Sequence, residues 1–206
     1  MLTSGQFIIL DKRPYKESAL LLGCFSPDYG KMNFVLHGAQ KLSEKTFPAV
    51  DLFREVEIEF NDTPKNGDLY TAKSAELLTE FDAIANNPLN FKMAGRIGSF
   101  LLKNSLPGVP QPYSYDALRS LLFNLSGFVQ THAPWSLEQC AVIIKTAYLY
   151  ENGLLPEPKN QQQSDFLENL VASGIDNSPL PDCPAEYWKR LNSWLNSLIE
   201  YHQLKR

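Results

Sequence analysis

Cysteine pairs, long apolar runs and an excess of basic residues are all missing from this sequence of 206 residues. The three cysteines, Cys24, Cys140 and Cys183, form no C-x-x-C pair, which excludes a dense disulfide framework and a cysteine-based metal site. No apolar run approaches the roughly 20 residues of a membrane span. The start MLTSGQ lacks the basic opening of a signal peptide. We therefore expect a soluble, cytoplasmic protein with reduced thiols.

The signatures of common catalytic sites are also absent. The chain contains no G-x-x-x-x-G-K-[ST], G-x-G-x-x-G, H-E-x-x-H or G-x-S-x-G motif. Its histidines, His37, His132 and His202, belong to different predicted elements, so nothing groups them for acid–base or metal chemistry. The segment GRIGS (95–99) lies inside a predicted helix and follows no strand, which argues against a phosphate-binding loop. We predict a protein without catalytic residues, metal or cofactor.

Short apolar runs and alternating patterns occupy about the first 80 residues. Five segments have the composition of strands, namely 6–13, 17–25, 31–38, 53–60 and 69–78. For the last of them a helix is an alternative. In FREVEIEF (53–60) the apolar residues alternate with Glu55, Glu57 and Glu59, which we expect to face solvent. Five short, hairpin-linked strands predict a Greek-key barrel of the oligonucleotide-binding (OB) type.

The apolar period becomes helical after this region. Asn87 followed by Pro88 predicts a helix start, with Phe91 on the buried side of the helix. A second predicted helix begins near Asp116, and its apolar stripe extends through Phe128 to Val129. Both stripes are wide enough to pack against other helices, so we expect a helical domain.

Three further helices follow in the sequence. A capping box at Ser136 opens one of them, a short helix is expected at 165–173, and the last begins near Ala185. No internal repeat is present. The predicted fold class is α+β, with a five-stranded OB barrel over residues 1–80 and an all-helical domain over residues 81–206.

A basic and aromatic corner, KRPYKES (12–18), joins the first two predicted strands. The simplest interpretation is a solvated turn. The alternative is a surface for a polyanion, in which cations neutralise phosphates and a tyrosine stacks a base. The candidate DNA-binding residues are Lys12, Arg13, Tyr15, Lys16, Lys31, Lys41 and Lys45. Residues 1–45 contain six basic and four acidic residues but residues 1–80 contain nine and twelve, so DNA affinity must come from one end of the barrel.

The order of motifs in this chain resembles the RecO family of bacterial recombination mediators. That family begins with an aliphatic strand, Arg-x-Tyr-x-Glu-x-Ser, a strand ending in Phe, a turn with Gly and a strand ending in Gly-Ala. The matching residues are Arg13, Tyr15, Glu17, Ser18, Phe25, Gly30, Gly38 and Ala39. The later segments SAELLTEFDAI, LYENGLLPEP and IEYHQLKR are also similar to the family.

This resemblance implies an OB barrel, a helical domain and no catalytic turnover. It implies binding of single- and double-stranded DNA, strand annealing, and contact with the C-terminal tail of single-stranded-DNA-binding protein (SSB). It further implies that the protein loads RecA together with RecR. The implied location is the cytoplasm, in association with the nucleoid. Many members carry a four-cysteine zinc knuckle where this chain has KNQQQSDF (159–166), so we expect no zinc. The alternative function is a protein-interaction module that docks an SSB-like tail, with weak or no DNA binding.

Overall fold

The computed structural model describes residues 2–38, 49–65, 67–128 and 134–205, and within them it has an α+β fold. The strands are β1 (Leu2–Tyr15), β2 (Ala19–Ser26), β3 (Gly30–Leu36), β4 (Arg54–Asn61) and β5 (Leu69–Glu80). The helices are α1 (Pro88–Asn104), α2 (Pro112–Ser126), α3 (Leu137–Glu151), α4 (Gln161–Asp176) and α5 (Ala185–Tyr201), with a 3-10 turn at Asp82–Asn86. The predicted fold class is confirmed.

The five strands close into a barrel in the order β1-β2-β3-β5-β4. Among the strand pairs of the described residues only β3–β5 is parallel, which is the strand arrangement of an OB barrel. The inward-facing side chains include Phe7, Phe34 and Phe60, whose rings meet edge to face with centroids 4.9–6.0 Å apart. The fifth segment is a strand, so its helical alternative is wrong.

β1 closes the barrel because it pairs with two partners along its length. Its first half, Leu2–Ile8, pairs antiparallel with β4, and its second half, from Ile8 to Tyr15, pairs with β2. A register shift between Ile9 and Asp11 marks a bulge, which bends the strand between its partners. The β1–β2 hairpin therefore continues beyond the point where β4 leaves the sheet.

The expected exposure of the β4 glutamates is confirmed for two of them and wrong for the third. Glu57 and Glu59 are exposed, but Glu55 is only 1% exposed and accepts a hydrogen bond from Gln6 Nε2 at 2.9 Å. Glu55 pairs with Ile8, which is itself fully buried. The outer face of the barrel is therefore covered here, and alternation within one strand does not reveal such a cover.

The chain forms two compact units, one of residues 1–82 with 98–111 and one of residues 83–97 with 112–206. The predicted boundary between residues 80 and 81 stays a prediction, and these units differ from it in assigning the segment 98–111 to the barrel unit. None of the described helices is both long and apolar enough to cross a membrane.

Within the first unit, the segment after α1 lies across the β2–β3 turn. Gly108 N donates to Tyr29 O at 2.9 Å, and Gln111 N donates to Pro27 O at 2.8 Å. Gly30 has a left-handed φ of 57°, and a Cβ at this position would lie 2.4 Å from Val109 O. Glycine is therefore required at this turn both for its conformation and for the close approach of the segment.

In the second unit, helix starts agree with local signals where the cap comes from the same segment. The predicted capping box at Ser136 is present, with Gln139 N donating to Ser136 Oγ. α2 starts at Pro112, before the expected Asp116, because Glu151 at the end of α3 accepts hydrogen bonds at its N-terminus. α4 begins at residue 161, before the predicted 165–173, because Asn160 caps it from its own segment, a local signal that the prediction missed.

Two aromatic side chains do not lie where the apolar stripes predicted. Phe91 is 42% exposed, and Phe128 lies beyond the end of α2 and is 54% exposed. The stripe of α2 ends instead at Leu125, which is buried. Position on a helical wheel indicates which side a residue occupies, but the neighbouring elements decide whether that side is covered.

The structure predicts different costs for alanine at two left-handed glycines of the barrel unit. Gly30 (φ 57°) faces backbone carbonyls, whereas a Cβ at Gly67 (φ 55°) would meet nothing within 4 Å. Gly67→Ala should cost about 1 kcal/mol through the left-handed conformation alone. Gly30→Ala should cost about 2 kcal/mol more, because the segment 106–111 must move away. Urea unfolding of both variants measures the difference, and equal costs would contradict it.

Candidate nucleic-acid interface

The β1–β2 hairpin carries the predicted basic corner at its tip. Pro14 pairs with Leu20 and Tyr15 with Ala19, so residues 16–18 form the turn. Lys16 adopts a left-handed φ of 55°, which directs the chain back into β2. Arg13 and Lys16 are exposed, and Tyr15 is half-buried. The corner is therefore an accessible projection of the barrel.

The cations of the corner lie on two faces of the hairpin. Lys12 pairs with Leu22, a residue of the barrel core, so Lys12 is on the inward face at the mouth of the barrel. Arg13 and Tyr15 follow on the opposite, outer face together with Asp11, which comes two residues before Arg13. The structure thus brings Arg13, Tyr15 and Lys16 together but separates Lys12 from them.

In the first unit, four side chains of alternating charge follow one another: Lys12, Asp51, Arg54 and Asp82. Lys12 Nζ lies 2.6 Å from Asp51 Oδ1, and Arg54 in turn forms an ion pair with Asp82. Partial burial tends to raise the pKa of Asp51, but hydrogen bonds from Lys12 and Leu52 N lower it overall. The hydrogen bond from Arg54 lowers the pKa of Asp82 in the same way. Lys12 is thus neutralised before any phosphate approaches.

The outer face has one paired cation and one cation over an aromatic ring. Arg13 Nη2 lies 2.7 Å from Asp11 Oδ2, in a pair whose arginine side chain is 67% exposed. Lys16 Nζ lies 5.3 Å from the centre of the Tyr15 ring, within the range of a cation–π contact. Exposed pairs of this kind contribute little, so Arg13 can exchange Asp11 for a phosphate at small cost.

The other predicted DNA-binding residues do not extend this corner. Lys31 pairs with Phe25, at the far end of β2 from the Tyr15–Ala19 pair. Phe25 lies six positions after Ala19 in β2, which is about 20 Å along an antiparallel strand. Lys41 and Lys45 lie outside the described residues, as do Ala39 and His132. Within the described ranges, no three His, Cys, Asp or Glu residues are grouped as metal ligands.

A groove of about 430 Å³ lies in the second unit between α4 and α5. Its lining is mainly apolar and includes Phe166, Leu167, Tyr187, Leu191 and Trp194, together with one acidic and one basic residue, Glu157 and Lys159. In α5 the apolar stripe through Trp188, Leu195 and Ile199 is buried. Tyr187, Leu191 and Trp194 follow at offsets of four and three, and this second stripe is the signal that identifies the groove.

Comparison with known proteins connects the barrel to a family. Residues 1–81 match the family model described as Recombination protein O N terminal. A DNA repair protein RecO of Mesoplasma florum is 27% identical over 119 residues, which are 58% of this chain and 45% of that protein. A DNA repair protein RecO of Syntrophobacter fumaroxidans is 24% identical over 123 residues, which are 60% of this chain and 48% of that protein. The chain thus matches about half the length of these curated relatives.

The lowered pKa of Asp82 predicts a pH-dependent contribution to stability. A carboxylate with a lowered folded pKa stabilises the fold above its unfolded pKa, and this stabilisation is lost as the pH falls through the folded value. Asp82→Asn should cost at most about 1 kcal/mol near neutral pH, since the pair is partly exposed. The cost should shrink below about pH 4. Urea unfolding of both proteins from neutral pH to below about pH 4 measures this cost. A stability cost of Asp82→Asn that does not change with pH would contradict the prediction.

Proposed function

We propose that this chain, whose first 81 residues match the family model described as Recombination protein O N terminal, is a non-catalytic DNA-binding protein of recombinational DNA repair. The curated relatives are named as DNA repair proteins. The observation that carries the proposal is the projecting β1–β2 hairpin of a closed OB barrel, with two exposed cations beside a tyrosine. Cations and aromatic rings on such barrels are the groups that hold single strands.

In the proposed complex, Arg13 and Lys16 neutralise phosphates and Tyr15 stacks on a base. Lys12 joins them only when a phosphate displaces Asp51 from its ammonium group. The carboxylates Asp11 and Asp51 compete with the DNA backbone for these cations. We therefore expect modest affinity that falls steeply with salt, because each phosphate contact releases counterions.

The proposal extends to the partners that the family resemblance implies. The chain would bind single- and double-stranded DNA, promote annealing, and act with RecR in loading RecA onto strands coated with SSB, in the nucleoid-associated cytoplasm. All of these roles are non-catalytic. They require surfaces that hold strands and proteins together, and the exposed hairpin of the barrel supports the DNA-binding part.

The groove between α4 and α5 favours a second candidate function, the docking of an SSB-like tail. An apolar groove of this volume accommodates one or two large side chains of a peptide. Phe166 and Tyr187 meet edge to face in its wall, with ring centroids 5.5 Å apart. Lys159, which lines the groove together with Glu157, is exposed and can hold a terminal carboxylate in competition with Glu157. An acidic tail with an apolar end is therefore the occupant we assign.

Reversal of the corner charges tests the DNA-binding proposal. Arg13→Glu combined with Lys16→Glu should lower the affinity for a fluorescent oligothymidine by roughly tenfold or more, because two phosphate contacts become repulsive. Fluorescence anisotropy at several salt concentrations measures both the affinity and its salt dependence. Binding of an SSB tail peptide should survive the change.

A matched control for this experiment is available in the same barrel. Lys65→Glu with Lys73→Glu makes the same change of net charge at exposed positions of the β4–β5 hairpin. A third variant, Asp51→Asn, removes the anion that pairs with Lys12 and should raise DNA affinity. If the corner variant and the Lys65/Lys73 variant bind DNA equally well, the corner is a solvated turn and the proposed contact is wrong.

Truncation of Trp194, the largest side chain that lines the groove, tests whether the groove docks a peptide tail. Trp194→Ala should weaken binding of a labelled SSB tail peptide by about 2 kcal/mol, the usual cost of truncating a central aromatic anchor. Tyr201→Ala is the control, since Tyr201 ends the same helix, is 80% exposed and does not line the groove. Equal peptide affinities of the two variants would exclude this groove as the docking site.

A further inference from the structure

A second pocket, of about 300 Å³, lies beside the α4–α5 groove in the second unit. It is lined by Tyr150 at the end of α3, by residues of the segment 153–158, and by Ser164, Leu167 and Glu168 of α4. Leu167 and residues 156–158 also line the groove, so the two sites are neighbours with one common wall. We call this second site the Tyr150 pocket.

The charged groups at the Tyr150 pocket are carboxylates. Glu157 and Glu168 line it, and none of its lining residues in the described part of the chain is basic. Ser164 Oγ donates to Glu168 Oε1 at 2.9 Å, which restrains this carboxylate and leaves its charge in place. Lys159, the cation of the neighbouring groove, does not line the pocket. An acidic segment is therefore repelled here, and a cation is attracted.

One wall of the pocket is an exposed aromatic ring that a second ring supports. Tyr150 is 44% exposed, and its ring centroid lies 5.8 Å from that of Tyr113. Tyr113 N in turn donates to Glu151 Oε1 at 2.8 Å, a contact that joins the start of α2 to the end of α3. The Tyr150 ring is thus held in place and remains accessible, and aromatic rings attract cations to their faces.

We propose that the Tyr150 pocket binds an arginine side chain from an extended segment of a partner protein. The guanidinium group pairs with Glu157 and Glu168 and lies over the Tyr150 ring. An apolar neighbour in the same segment packs against Leu155 and Leu167, which also line the pocket. A volume of about 300 Å³ is at the lower limit of ligand pockets, which suits one long side chain.

The combination of two carboxylates with a ring favours arginine over lysine, because the planar guanidinium stacks on aromatic faces and donates paired hydrogen bonds to carboxylates. The same carboxylates repel a phosphate backbone, so the occupant is a protein rather than a nucleic acid. This inference goes beyond the proposed function, since neither the DNA-binding corner nor the docking of an acidic tail uses the Tyr150 pocket.

Two peptides that differ only in charge test the proposal on the whole chain. The acetylated peptide amide Ala-Leu-Arg-Leu-Ala should shift the backbone amide resonances of Gly153, Leu155 and Glu168 in NMR spectra of the isotope-labelled protein. The same peptide with citrulline in place of arginine keeps the shape and is neutral. It should bind about tenfold more weakly, because hydrogen bonds between charged groups are the stronger ones.

Variants of the lining residues separate charge from stacking. Glu157→Gln with Glu168→Gln should remove the preference for arginine over citrulline. Asp165→Asn with Glu186→Gln is the matched control, since it makes the same change of net charge at exposed positions of α4 and α5 outside the pocket and should keep the preference. Tyr150→Leu should weaken the arginine peptide by about threefold, the effect of one exposed cation–π contact. Thermal unfolding checks that each variant is folded.

Three results would overturn this inference. The first is equal affinity of the wild type for the arginine and citrulline peptides, or no amide shifts with either. The second is a Glu157/Glu168 variant that retains the preference for arginine. The third is a response of the same amides to an acidic SSB tail peptide and not to the arginine peptide, which would assign the pocket to the groove beside it. None of these results affects DNA binding by the corner.

Discussion

Closure of the barrel through β1 is the constraint on which the first unit depends. One strand pairs with β4 by its first half and with β2 by its second, and a bulge between Ile9 and Asp11 allows the bend. Beyond Ile8 the β1–β2 hairpin has no β4 beside it, so its tip projects from the barrel. Because successive side chains of a strand point to opposite faces, the basic corner presents Lys12 at the mouth and Arg13 outside.

Ion pairing then decides which cations remain available for a ligand. The barrel unit pairs Lys12, Arg13 and Arg54 with carboxylates, whereas α1 has no acidic residue to offer. A net-negative protein can thus keep local regions that attract an anion, provided that its carboxylates are used elsewhere. At the basic corner, Lys12 and Arg13 must exchange a carboxylate for a phosphate, whereas Lys16 lies over the Tyr15 ring.

Local sequence patterns predicted the strands and helices well, but they did not predict which of their side chains are covered by distant parts of the chain. The five strands and the capping box at Ser136 depend on residues close in sequence, and both are present. The exposure of Glu55, Phe91 and Phe128 depends on elements far away in the chain, and all three expectations were wrong. The early start of α2 has the same origin, since its cap comes from Glu151 at the end of another helix.

The sequence by itself determined the fold class, the resemblance of the first 81 residues to the RecO family and the position of the basic corner, because period, turn chemistry and motif order are properties of neighbouring residues. Only the tertiary structure decided that Lys31 lies at the far end of β2, that Asp51 neutralises Lys12, and that α4 and α5 enclose an apolar groove. These features join residues tens of positions apart. Their distances depend on how the barrel closes and the helices pack, which no local pattern contains.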